Sequence, residues 1–109
     1  MKIDLFRVKK NKLEKLMQWG NSIATAHKDE ALETLEEEGL IYESCFIFQI
    51  NGKYYGFAIS EGEYNPTNMR RKFNQIHKAI KQQCVEEIGR VEKVYEIFNK
   101  VKIYDISNV

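Results

Sequence analysis

The chain has 109 residues, 43% hydrophobic and 30% charged, with a formal net charge of +1. That is enough for one globular domain over residues 1–109 and too little for two. The composition excludes a disordered linker, since there is one Pro and six Gly, and a near-neutral balance gives no global pull toward nucleic acid or membrane.

Lys2–Lys9 is the first predicted strand, with Ile3 and Leu5 on one face and Phe6 and Val8 on the other. Asn11 is the expected N-cap of a helical pattern that starts at Lys12. Leu13, Leu16, Met17, Gly20, Ile23, Ala24, His27, Ala31 and Leu35 follow the i, i+3, i+4, i+7 spacing. An unbroken helix from Lys12 to Glu38 would run about 40 Å, too long for this domain. A break near Ala26–Asp29 is therefore expected, with Thr25 or Asp29 capping the second piece and Gly39 closing it.

Two further strands, Ser44–Ile50 and Tyr54–Ile59, are joined by Asn51-Gly52, the strongest short-range hairpin signal. Both are apolar on alternate sides. Phe46, Phe48 and Ile50 oppose Cys45 and Ile47, and Tyr55, Phe57 and Ile59 oppose Tyr54, Gly56 and Ala58. Each side needs a cover, and the helices of this chain suffice for one. Glu61–Tyr64 reads as a turn, followed by a helix capped by Asn65 with Pro66 at its first position. Its stripe is Met69, Phe73, Ile76, Ile80, Cys84 and Ile88, and Gly89 ends it. Val91–Phe98 is the expected fourth strand, and Val101–Ile106 a short terminal strand or arm.

The order β-α-β-β-α-β predicts an α+β, ferredoxin-like split βαβ domain: a four-stranded antiparallel sheet with helices on one face. The apolar opposite face points to a homodimer formed through the sheets.

No metal-ligand spacing surrounds His27 or His77, and no phosphate loop or nucleophile elbow occurs, so neither metal nor cofactor is expected. Cys45 and Cys84 lie within apolar patterns and are expected as buried free thiols, in keeping with a cytoplasmic protein. No stretch is long and apolar enough for a membrane span. Charge is segregated between an acidic run, Asp29–Glu43, and a basic helix carrying Arg70, Arg71, Lys72, Lys78 and Lys81. Lys53-Tyr54-Tyr55-Gly56-Phe57-Ala58 partly matches the aromatic strand of RNA-recognition domains, with Tyr54 in place of a glycine and Ser60 in place of the last aromatic.

Trp19, the run Glu33-Thr34-Leu35-Glu36-Glu37-Glu38-Gly39, Glu43, Phe46, Gly52, Tyr55 and His77 together resemble a bacterial family known only as a domain of unknown function. That family is similar to the dimeric α+β barrel superfamily, which includes small cofactor-independent monooxygenases and sugar mutarotases. The resemblance implies a homodimeric barrel and no particular activity.

From the residues themselves, the leading expectation is a small-molecule cleft between sheet and helices. Trp19, Tyr55 and Phe57 are its expected apolar walls, and His77 and Glu43 the groups that move a proton in a cofactor-independent isomerisation or oxidation. Two alternatives stand beside it. One is a non-enzymatic homodimeric interaction module. The other is single-stranded RNA binding through Tyr55 and Phe57, which requires those rings to be open to solvent.

Overall fold

The structure, a computed structural model, describes residues 1–99. The elements run β1 (Lys2–Val8), α1 (Leu13–Ala24), α2 (Lys28–Glu37), β2 (Leu40–Ile50), β3 (Lys53–Gly62), α3 (Lys72–Cys84) and β4 (Val85–Val91). The four strands form one antiparallel sheet in the order β2-β3-β1-β4, so the class is α+β.

The long amphipathic pattern breaks where expected. Thr25–His27 separates α1 from α2, although neither Thr25 nor Asp29 supplies a side-chain cap: the N-cap position is His27. Asn11 is likewise not the cap of α1. It turns the chain with φ +62, and Lys12 occupies the cap position. Gly39, at φ +67, closes α2 by donating its N–H to the Glu36 carbonyl at 3.0 Å. Asn51 and Gly52 both take positive φ, as a two-residue hairpin turn requires.

Several boundaries differ from the sequence reading: β2 begins at Leu40 rather than Ser44, and β3 spans Lys53–Gly62, into the expected turn. Asn65 and Pro66 do not begin a helix; residues 63–71 form a loop and α3 starts at Lys72. The polar groups of Asn65 serve α2 instead. Its backbone N–H donates to the Glu38 carbonyl at 2.9 Å, and its side-chain amide donates to the Glu37 carbonyl at 3.3 Å. Carbonyls at a helix end have no intrahelical partner, and this loop satisfies two of them.

At the other end, α3 stops at Cys84 rather than Gly89. The Cys84 carbonyl accepts the Lys9 N–H at 2.8 Å, and the Lys9 ammonium donates to the Gln82 carbonyl at 2.7 Å. The fourth strand is therefore Val85–Val91, not Val91–Phe98. Ile88 follows the helical spacing but sits at an irregularity in the β1–β4 pairing, where Leu5 faces Gly89 and Phe6 faces Glu87. Residues 92–98 lie outside the sheet, with Val94 92% and Ile97 84% exposed. The expected terminal strand Val101–Ile106 lies outside the described residues.

Strand register divides the sheet into two faces. Asp4, Phe6, Val8, Glu43, Cys45, Ile47, Gly56, Ala58 and Ser60 share the inner face, toward the helices. Ile3, Leu5, Phe46, Phe48, Tyr55, Phe57 and Ile59 share the outer face. The buried core is small and lies on the helix side: Phe6, Val8, Trp19, Phe73 and Cys84. Gly56 is required there, because a Cβ would stand 2.3 Å from the Phe6 ring and 2.6 Å from the Phe46 carbonyl oxygen.

Candidate functional site

The helices do not close down onto the sheet along its whole length. Between them lies a cleft of about 1330 Å³, lined by residues that include Trp19, Glu43, Cys45, Phe73, His77 and Lys81. The 63–71 loop forms one border with Tyr64, Thr67 and Met69. That loop is pinned to α2 by Arg71, which pairs with Glu33 and Glu37, and by the Thr67 hydroxyl, which donates to Glu38 at 2.8 Å. Hydrogen bonding to Arg71 holds the Glu37 carboxyl below its ordinary pKa and, reciprocally, raises that of Arg71.

α2 and α3 meet through a polar contact within the core. The Asn74 side-chain amide, 5% exposed, donates to the Thr34 hydroxyl at 2.7 Å and to the Asn68 carbonyl at 3.0 Å. A buried amide satisfied on both sides fixes the relative position of the elements that carry it.

The central feature is an aromatic cluster joining α1 to α3. Trp19 lies 5.7 Å from Phe73 and 5.6 Å from His27 between ring centroids, and Phe73 stacks on His77 at 6.1 Å with 9° between the rings. The Trp19 indole Nε1–H donates to His77 Nδ1 at 2.9 Å. An indole nitrogen only donates, so Nδ1 must be the bare, accepting nitrogen, and Nε2 carries the proton. Nε2 has no partner among the described residues, yet it is not a sealed orphan, and His77 lines the cleft. Burial, with a smaller contribution from the Lys81 charge, pushes the His77 pKa down to about 4. At neutral pH the imidazole is a fixed neutral donor rather than a base.

Glu43 comes from β2, on the inner face and opposite Ser60. Its side chain is reachable by solvent but walled by protein, because it lines a cleft rather than a convex surface. That enclosure, reinforced by the nearby Glu38 charge, raises its pKa above the ordinary carboxylate value, while Lys81 and Lys2 pull the other way. Cys45, two residues on, shares this face. Its thiol pKa is raised by burial and by the Glu43 charge, which keeps it protonated and unreactive. Contrary to expectation Cys45 is accessible in the cleft; Cys84 is the buried thiol.

Trp19, His77 and Glu43 are therefore brought to one cleft. Tyr55 and Phe57 are not: strand alternation places both on the outer face, where Phe57 stacks on Phe46 at 4.9 Å and Tyr55 on Phe48 at 5.9 Å. Among the described residues no group of three or more His, Cys, Asp or Glu is arranged to hold a metal ion, and no helix is long and apolar enough to cross a membrane. The sequence reading missed Lys81 as a site residue. It stands one helical turn after His77, on the face that His77 presents to the cleft, and its charge acts on His77, Glu43 and Cys45 alike. The i, i+4 spacing from His77 was a visible signal, but the sequence reading took Lys81 only as one residue of the basic helix.

A family of unknown function, DUF6176, matches residues 1–102, and the chain belongs to that family. Searches of curated proteins and of solved structures find no match to the chain.

Proposed function

We propose that this chain is a cofactor-independent isomerase of a small carbonyl compound, assembled as a homodimeric, ferredoxin-like α+β barrel. The observation that carries the catalytic reading is the 2.9 Å hydrogen bond from Trp19 to His77 Nδ1. It leaves a neutral Nε2–H as a donor to a substrate oxygen, in the same cleft as a carboxylate of raised pKa. A carboxylate base paired with a neutral imidazole donor is a combination suited to enolisation.

In that step Glu43 takes a proton from the carbon beside the carbonyl. The C–H electron pair becomes a C=C bond, and the carbonyl π electrons move onto oxygen, where His77 Nε2–H stabilises the developing charge. Glu43 then returns the proton to the same carbon, on either face, as the C=C pair takes it up and the carbonyl re-forms. No electron acceptor is consumed in this step.

The assembly reading is supported by the strand order β2-β3-β1-β4, with both helical crossovers on one side, and by the outer face. That face is apolar and uncovered by the chain's own helices, with Phe46 51% and Ile50 53% exposed. An aromatic patch of this kind marks an interface. A second copy placed on it buries Tyr55 and Phe57, the rings that RNA binding would need to be free.

The test follows deuterium exchange at the methylene of phenylpyruvate in D₂O by NMR. Acceleration by the protein, lost in Glu43→Gln and reduced in His77→Gln, is the expected result. Exchange at the uncatalysed rate with folded wild-type protein refutes the proposal.

A further inference from the structure

We infer that the cleft selects a ligand carrying a carboxylate, which the Lys81 ammonium receives one helical turn from the His77 donor. This rests on the reading of the cleft as a carbonyl-binding site and narrows its substrate to anionic carbonyl compounds.

Four cations line the cleft: Lys2, Lys28, Lys78 and Lys81. Lys2 is engaged, 3.5 Å from Asp4 and over the Tyr64 ring at 5.8 Å. Lys81, like Lys28 and Lys78, makes no ion pair or side-chain hydrogen bond with any described residue. Its charge is nonetheless close enough to influence Glu43, Cys45 and His77 together, a set that no other cleft lysine influences. Lys81 and Glu43 thus line one cleft with no ion pair between them, leaving the ammonium available to an incoming group.

Spacing fixes the ligand class further. Residues four apart on a helix lie about 6 Å apart along its axis and on one side. His77 and Lys81 therefore place one neutral and one cationic donor on the same side of α3. A carbonyl oxygen with a carboxylate on the adjoining carbon spans such a pair. The apolar remainder of the ligand faces Trp19 and Phe73, whose rings form the neighbouring wall.

Trp19 is the chain's only tryptophan, so its fluorescence and its indole N–H resonance report binding at the site directly. The probes are 3-phenylpropanoate and its neutral amide, equal in shape and unable to enolise. Wild-type protein is expected to bind the carboxylate about tenfold more tightly than the amide. Lys81→Met should abolish that preference and Lys81→Arg should retain it. Equal binding of the two probes, binding of neither, or a preference kept in Lys81→Met but lost in Lys78→Met overturns the inference. A carboxylate preference without deuterium exchange would sink the isomerase reading alone. Exchange without the preference would sink only the assignment of Lys81.

Discussion

The two faces of the sheet are built from the same strands and have opposite chemistry. On the inner face β1, β2 and β3 present Asp4, Glu43, Cys45 and Ser60 beside Phe6 and Gly56; on the outer face they present Leu5, Phe46, Phe48, Tyr55 and Phe57. A fold whose helices merely covered a core would carry its polar residues outside and its apolar ones inside. Here Asp4, Glu43 and the Cys45 thiol look toward the helices beside Phe6 and Val8, and the stacked rings of Phe46, Phe48, Tyr55 and Phe57 look away from them. The inversion is economical if the inner face borders a ligand cleft and the outer face borders another protein surface.

The inner face is broken most severely at Gly56. Gly56→Val drives a side chain into the Phe6 ring and the Phe46 carbonyl, and should lower unfolding free energy by about 3 kcal/mol in urea titrations. A loss within experimental scatter would mean that Phe6 swings aside. The outer face is broken at Phe57. Phe57→Lys sets a charge among stacked rings and should weaken self-association more than about a hundredfold, while leaving the single chain folded. Light scattering then gives 12.9 kDa instead of twice that mass; a wild-type protein already at 12.9 kDa refutes the dimer.

Acid sharpens the contrast. As pH falls below the ordinary histidine value of 6.5, the unfolded chain protonates His77, whereas the folded protein does so only near 4. The stability His77 contributes is complete above 6.5 and is lost between 6.5 and 4, by about 2 to 3 kcal/mol. Glu43 acts with the opposite sign. Its pKa is raised on folding, so its contribution is present below the ordinary carboxylate value and lost as pH rises through the folded one. Urea titrations near neutral pH and at about pH 5 should therefore show a slope that His77→Gln flattens. The smallest effect is expected from Trp19→Phe. Removing the N–H donor frees Nδ1, so the imidazole is no longer held in the Nε2–H tautomer, read by the imidazole nitrogen shifts. The cost in stability should be about 1 kcal/mol.

The α+β class, the break near Ala26–Asp29, the Asn51-Gly52 hairpin and an apolar second sheet face were all legible before any coordinates. Each depends on local periodicity or on one or two residues with strong backbone preferences. Boundaries set by distant partners were not legible. Asn65 looks like an N-cap in isolation, but the unsatisfied carbonyls of α2 claim its amide. Ile88 fits a helical stripe, but pairing with β1 claims its segment.

The site divides in the same way. Sequence alone made Trp19, His77 and Glu43 candidates, because residue type and amphipathic position are local properties. It could not assign Tyr55 and Phe57 to the correct side, since alternation says which residues share a face and not which face the helices cover. Tertiary structure made that choice by packing α1 and α3, with Trp19, Phe73 and His77, on the face that carries Phe6. It also gave Lys81 its significance, because the worth of a charge depends on neighbours that only folding brings near.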